Sequence, residues 1–430
     1  MELIRYLKHG RWTSLFGYLL FVGMMATGYY YNLTFVQLGL VDLGERIVGL
    51  GQRQVALNMA LLAILTCITA LAVGWTMKRR GWSSRFLVKL RLAAAVVLVQ
   101  TALTVAVTAV ETETDFRAWI IVASLALGVG VPATFSLTVD LIPVRDRGYA
   151  AALITAIAYF VAATFSGSWR IEAFRTQALL IMVPGALAVL ALAFIPFPFL
   201  KTLARQHERP AFYQGRYLSR DPQTGSLRLR RSILGLIVLM FGIYFVDSLG
   251  FLRLLDTPVY MNTAWQSPEV GIRAFIGATH VVTALIAGVL YSTMGERQLF
   301  LWIFGIFALT HFMYVFALRF PLTGNDAGTL VEPMLYATAV SLYTVVNFAI
   351  WADISTPRTI SVNTAVGVAL SGWTATFIST ALALQWQEQG VSLVDHLNLV
   401  DALAILFFLG LLLLIYLQPR SETAYEVKNR

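Results

Sequence analysis

Apolar residues in this chain run in long blocks, separated by short stretches that hold most of the charge. The blocks have the length of a helix of about 20 apolar residues, which crosses a hydrocarbon core about 30 Å thick. A membrane barrel would instead show short segments of alternating polarity, and the chain has none. The blocks predict twelve helices, here called spans 1 to 12: 12–31, 54–77, 87–110, 119–139, 149–169, 178–200, 232–254, 271–290, 300–318, 333–352, 361–384 and 397–417. Span 6 carries Pro184, Pro196 and Pro198. Prolines are tolerated in spanning helices where neighbours satisfy the freed backbone groups. The first block, RWTSLFGYLLFVGMMATGYYY, is long for the core of a signal peptide and is followed by further spans, so it reads as a helix.

Composition agrees. The 430 residues are 58% hydrophobic and 13% charged, against about 25% charged in a soluble domain. The chain is too poor in charge to coat a soluble surface, and the expected fold class is an all-α integral membrane protein. Its single cysteine, Cys67, lies inside an apolar block. It excludes an intramolecular disulfide and reads as a small buried hydrophobe.

Charge sets the orientation. Twelve spans put both termini on one side, and taking that side as cytoplasmic places 24 of the 32 Lys and Arg residues inside and 8 outside. Without the basic linker the count is still 16 against 8. The positive-inside rule then gives a multi-pass protein of the cell (inner) membrane with cytoplasmic termini. The acidic loop ETETD, 111–115, falls outside and reads as solvated. The expected organisation is a six-helix bundle over 1–200, a basic cytoplasmic linker over 201–231, and a second bundle over 232–430 ending in a short cytoplasmic tail. The linker carries Pro210, Pro222, Gly215 and Gly225. It is expected to lie along the anionic inner leaflet, where each Lys or Arg contributes about 1 kcal/mol; docking a soluble partner is the alternative.

Between spans 4 and 5 stands a charged corner, DLIPVRDRG, with Asp140 and Arg147. A related corner, ADISTPRTIS, follows span 10 with Asp353 and Arg358. Gly74 and Gly81 after span 2 recur as Gly288 and Gly295 after span 8, both at one interval. The interval from Asp140 to Asp353 matches it within a single position. Two loops sharing one offset indicate a tandem duplication, with two halves related by an axis along the membrane normal.

In span count, central linker and loop pattern the chain resembles the major facilitator superfamily over nearly its whole length. That family's loop between helices 2 and 3 reads roughly G-x-x-x-D-R-x-G-R-[KR]. Gly74, Arg79 and Gly81 match, while Lys78 holds the Asp position. In the second half Ser292 and Thr293 replace the Asp-Arg pair between Gly288 and Gly295. Asp140, Pro143, Arg147 and Gly148 fit the loop between helices 4 and 5. The resemblance implies a twelve-helix fold of two six-helix pseudo-repeats that rock about a central cavity lined by spans 1, 4, 7 and 10. With Lys78 in place of Asp, the lock between the inner ends must be weaker or built otherwise. Span 5 lacks the family's glycine-proline antiporter signature, which disfavours drug/proton antiport by the usual route. Gating falls to Gly74, Arg79, Gly81, and to the pairs Asp140–Arg147 and Asp353–Arg358 at the cytoplasmic rim. Helix capping with inside-positive topology accounts for those pairs equally well, and is preferred for Arg145 and Asp146.

Span 7 presents Phe241, Tyr244, Asp247, Ser248 and Phe251 as one stripe, and span 10 presents Tyr336, Tyr343 and Asn347. These are the candidate cavity wall. Tyr29, Tyr30 and Tyr31 read as an interfacial belt. Asp247 is the single acid well inside a span, which marks a functional site. His280 of span 8 is its candidate partner; His311 of span 9 reads as a satisfied buried histidine. The expected function is secondary active transport of a small organic solute by alternating access, facilitative or proton-coupled, with Asp247, His280, Tyr244, Tyr343 and Asn347 at the proton or substrate site. The alternative is a non-transporting relative serving as membrane subunit or assembly partner of a larger complex. No catalytic cluster, metal spacing or nucleic-acid motif appears, so no enzyme, cofactor or nucleic-acid role is expected. The expected partners are the bilayer and the solute, with a monomeric protein unless it is non-transporting.

Overall fold

The computed structural model describes residues 2–165, 169–213, 215–220, 227–229, 233–254, 264–320 and 330–417. Among the described residues twelve long helices correspond to the twelve blocks. Eleven are long and apolar enough to cross a bilayer, from span 2 at Gln52–Arg79 to span 12 at Leu393–Leu417. Span 1, Trp12–Tyr31, falls short of that apolarity because glycines and three consecutive tyrosines dilute it. The chain is a multi-pass, all-α membrane protein. Its strands among the described residues are a two-stranded ribbon in the linker, Leu218–Arg220 against Leu227–Leu229.

Several boundaries move for identifiable reasons. Span 1 does not end at Tyr31 but continues through π-helical turns, Asn32–Gly39 and Leu43–Ile47. Span 4 starts at Glu113, inside the acidic stretch expected to be a solvated loop. Thr112 caps it: its hydroxyl accepts from the Asp115 amide, and the Asp115 carboxylate accepts from the Thr112 amide, which satisfies two end groups reciprocally. Span 6 is Ile171–Phe194. It stops before Pro196, because a residue preceding proline is driven from helical to extended geometry. A separate short helix, Pro198–Ala204, begins with proline in its first turn, where no amide partner is lost.

Span 5 (Arg147–Phe165) packs on span 8 (Val270–Thr293), and span 2 on span 11 (Ile360–Glu388). These two seams join the first six spans to the last six. Both need small residues at one end. A Cβ on Gly288 would sit 2.7 Å from that of Ala152 and 2.9 Å from the Gly148 carbonyl. A Cβ on Gly74 would sit 2.6 Å from the Ser361 carbonyl. The interval from Gly74 to Gly288 and that from Gly148 to Ser361 agree within one position, so the seams close at equivalent places. The turn glycines differ: Gly81 has a positive φ, in the left-handed region that suits glycine, whereas the φ of Gly295 is negative and open to any residue.

The described part of the linker up to Leu218 does not lie out along the membrane surface. Leu203, Gln206, Phe212, Gly215, Tyr217 and Leu218 are buried against the basic-loop end of the bundle. Four are apolar side chains whose burial outweighs spreading on a charged surface. Pro222, Gly225 and the tail 418–430 lie outside the described residues.

Candidate functional site

A cavity of about 1430 Å³ lies between the first six spans and the last six. It reaches the surface between Gln52 and Arg53 on one side and Gln387 and Glu388 on the other, at the end opposite the basic loops. Asp247 of span 7 (Ile233–Leu254) lines it and is 9% exposed. Span 10 (Val331–Asp353) supplies both of its partners. The Tyr336 hydroxyl donates to one carboxylate oxygen and the Tyr343 hydroxyl to the other, each at 2.6 Å. The two tyrosines stand close to two helical turns apart, so one face of span 10 delivers both. Tyr244 lines the same wall and meets Tyr343 edge-on, with ring centres 5.3 Å apart.

His280 also lines the cavity but is not joined to Asp247 by any hydrogen bond or ion pair among the described residues. Its Nδ1 lies 2.8 Å from the Ser341 hydroxyl, and its ring stacks on Tyr159 of span 5 with centres 4.4 Å apart. The seam with span 5 fixes the rotation of span 8 and turns His280 toward Tyr159. Tyr29 joins the same group, its hydroxyl 2.7 Å from that of Tyr159. Tyr29, Tyr30 and Tyr31 are therefore not a belt: Tyr30 donates to Gln177 at 3.0 Å, and Tyr31 accepts from Thr104 at 3.2 Å. The helix running on to Ile47 places all three inside the bundle.

At the basic-loop end the cavity is shut. Arg147 does not pair with Asp140. Its guanidinium donates to Asp353 at 2.8 Å, to the Ala352 carbonyl at 2.8 Å and to the Phe212 carbonyl of the linker at 2.7 Å. Tyr291 donates to the other Asp353 oxygen at 2.8 Å, and the Tyr217 amide to the Asp353 carbonyl at 3.0 Å. Arg147 and Asp353 are both fully buried. Asp140 instead pairs with the buried Lys89 of span 3 (Phe86–Ala109) and lies 3.0 Å from His207 of the linker. Arg358 is exposed and makes no ion pair with a described residue, so the expected Asp353–Arg358 pair is absent. The first corner residue of span 5 faces span 10 across the seam, while Asp140 closes span 4 facing span 3, and this sends the two charges apart.

Whole-chain comparison with solved structures decides the architecture. The proton:xylose symporter XylE, solved with 6-bromo-6-deoxy-D-glucose, aligns over 92% of this chain and 94% of its own, with a TM-score of 0.61 and 14% identity. The human organic anion transporter MFSD10 (TETRAN) aligns over 93% and 99%, with a TM-score of 0.60 and 14% identity. The chain has the major facilitator fold. No protein-family model matches its sequence, and no curated protein matches it.

Within this major facilitator fold the cavity gathers Tyr244, Asp247, His280, Tyr343 and Asn347 on one surface. Asn347 is partly committed: its side-chain oxygen accepts from the Trp351 indole at 2.9 Å. Phe241 is not on the cavity lining and stacks on Phe245, with centres 5.9 Å apart. His311 has one ring nitrogen on the Phe307 carbonyl at 2.8 Å and the other without a partner among the described residues, so it is half satisfied. Gly74 is at a seam and Gly81 in a turn, while Arg79 is exposed and makes no ion pair with a described residue. Two wall residues, Tyr159 and Trp265, escaped the sequence reading. Tyr159 sits in an alanine-rich block that resembles lipid-facing helix. Trp265 lies before span 8 in no apolar block, and only the fold brings its ring to His280, 5.6 Å between centres. Asp247 makes no direct bond with any cation among the described residues.

Proposed function

We propose that the protein is a secondary transporter that moves a small organic solute by alternating access, coupled to protons through Asp247. The reading rests on one observation above the others: a cavity between two six-span halves holds a buried carboxylate, is open at one end, and is closed at the other by a buried ion pair that crosses the halves. An intramembrane acid facing a cavity is expensive to keep and marks a solute or proton path. With the basic loops taken as cytoplasmic, this is an outward-open state. Residues 1–200 and 232–430 are then the two rocking bundles. Asp247 stands among tyrosine, tryptophan and histidine rings, and the other acids of the lining are Asp42, Glu45 and Glu388; this suits a neutral or weakly cationic solute with an apolar or aromatic part. A proton or a cationic group arriving at Asp247 competes with the hydroxyls of Tyr336 and Tyr343 for its oxygens. Proton and solute thereby share one group, which is the physical basis of coupling. XylE is a proton:xylose symporter, and that description supports the coupling reading by fold likeness alone.

The test is uptake into proteoliposomes from a panel of neutral, cationic and anionic solutes, with and without an imposed pH gradient. Asp247→Asn keeps the side chain's shape and removes its titration. The variant is expected to exchange the transported solute at equilibrium and to lose gradient-driven accumulation. Accumulation at the unaltered level would take Asp247 out of the mechanism. Absence of uptake for every solute, with stoichiometric co-purifying membrane subunits from native membranes, would favour the non-transporting alternative.

A further inference from the structure

The basic-loop end carries a second cavity, of about 790 Å³, separate from the central one. Four segments enclose it: the N-terminal helix Glu2–Lys8, the start of span 1 with Arg11 and Ser14, the corner residues Pro143, Val144 and Arg145, and linker residues between Arg209 and Leu218. Its lining holds five arginines, at positions 5, 11, 145, 209 and 216, and a single acid, Glu2. Glu2 is taken by Arg5 at 3.0 Å. Among the described residues Arg216 donates to neutral groups, the carbonyls of Tyr291, Ser292 and Met294. Arg11, Arg145 and Arg209 make no ion pair with any described residue.

Bringing so many guanidinium groups to one concave surface raises the energy of the folded linker through like-charge repulsion. Solvated loops avoid that by spreading their charges. A concave site lined by one sign of charge concentrates the potential and attracts the opposite ion. The planar fork of arginine matches phosphate oxygens two at a time. A single carboxylate would leave most of the charge unmet, whereas a group with several phosphate charges meets it. The volume lies in the range of small-ligand pockets.

We propose that this cavity binds a phosphate-bearing anion, either the headgroup of an anionic phospholipid or a soluble polyphosphate, and that the bound anion ties the linker to the corner between spans 4 and 5. Phe212 lines the cavity and gives its carbonyl to Arg147. Arg216 lines it and reaches the end of span 8. The ligand would therefore steady the linker contacts that hold this end of the bundle shut.

The experiment uses the full chain in nanodiscs of neutral phosphatidylcholine. One arm titrates inorganic tripolyphosphate and follows thermal unfolding. The other replaces part of the lipid with phosphatidic acid at constant ionic strength. A saturable stabilisation that weakens with added salt is expected in one arm. The combined variant Arg11→Gln, Arg145→Gln, Arg209→Gln should weaken it at least about tenfold, since charge-assisted hydrogen bonds are lost. Lys78→Gln with Arg80→Gln, at the same end but outside the cavity, should leave it unchanged. A tripolyphosphate response identifies a soluble anion, and a response confined to phosphatidic acid identifies a lipid headgroup. No saturable response in either arm, or equal responses in the triple variant and the parent, would overturn the proposal. Arg145 is exposed, so Arg145→Gln alone serves if the triple variant does not fold. Its expected loss is about threefold or more, and no loss counts against the site.

Discussion

Arg147 shows how much a single corner residue carries, because each described partner of its side chain belongs either to the last six spans or to the linker. Removing one member of a buried ion pair leaves the other charged and unmet, at a cost of about 3–5 kcal/mol. Arg147→Gln should therefore lower the unfolding midpoint in detergent markedly. Asp353→Asn should do less, because the Tyr291 hydroxyl still serves the amide and the Ala352 and Phe212 carbonyls still serve Arg147. Combining the two should recover much of the single-variant loss. Additive losses in that double-mutant cycle would mean that the pair carries no coupling. The sequence revealed the charged corners but paired them wrongly. Asp140 finds Lys89, which lies at the start of span 3 and was not singled out there, yet is fully buried and donates to the Ser136 carbonyl at 3.1 Å. Asp247 was legible because an acid alone in an apolar block has few explanations. Its tyrosine partners were not, because which faces of spans 7, 8 and 10 meet depends on their rotation in the bundle.

At the scale of elements, hydropathy located the helices and misplaced their ends where polarity and helicity part company. Asn32, Thr34 and Gln37 look like the end of span 1, yet the helix continues through them, with Asn32 and Gln37 on the cavity. Apolarity reports contact with lipid, and a cavity-lining helix need not have it. The glycines were legible as an offset, while their purpose required the seams. Gly74→Ala puts a methyl 2.6 Å from a backbone carbonyl of span 11, and backbone cannot swing aside. The expected result is a loosened seam. Ser83, which is buried beside it and donates to the Pro357 carbonyl at 2.8 Å, reports this as a cysteine. In a Cys67→Ser background, Ser83→Cys should react faster with a maleimide when Gly74→Ala is present. Gly23→Ala, where a Cβ meets nothing within 4 Å, should change nothing. Equal rates for all three would show that the seam absorbs the methyl without opening.

Across the whole molecule the duplication is legible in the sequence, but its asymmetry is not. The interval that carries Asp140 onto Asp353 carries Arg147 onto Ile360 and Lys89 onto Trp302. The last six spans therefore lack both cations of the first six at these places, and Asp353 takes its counter-charge from Arg147 across the halves. This one-sided ion pair joins the halves at the end that carries the degenerate loop after span 2. Orientation comes first: Thr114→Cys should react with an impermeant thiol reagent on intact cells and Arg80→Cys should not, and the reverse pattern would turn the open cavity toward the cytoplasm. The cycle itself is tested by holding the seam closed. Ser83 and Pro357 belong to opposite halves and touch. Cysteines at both, in the Cys67→Ser background and joined by oxidation or a short bifunctional reagent, keep this end shut while leaving the central cavity untouched. If the halves must separate here to release solute, the cross-linked protein should still bind solute from the open end and should carry none across, and for the disulfide form a reductant should restore transport. Transport at the uncross-linked rate with cross-linking complete would mean that this seam does not open, and alternating access by rocking would fail for this chain.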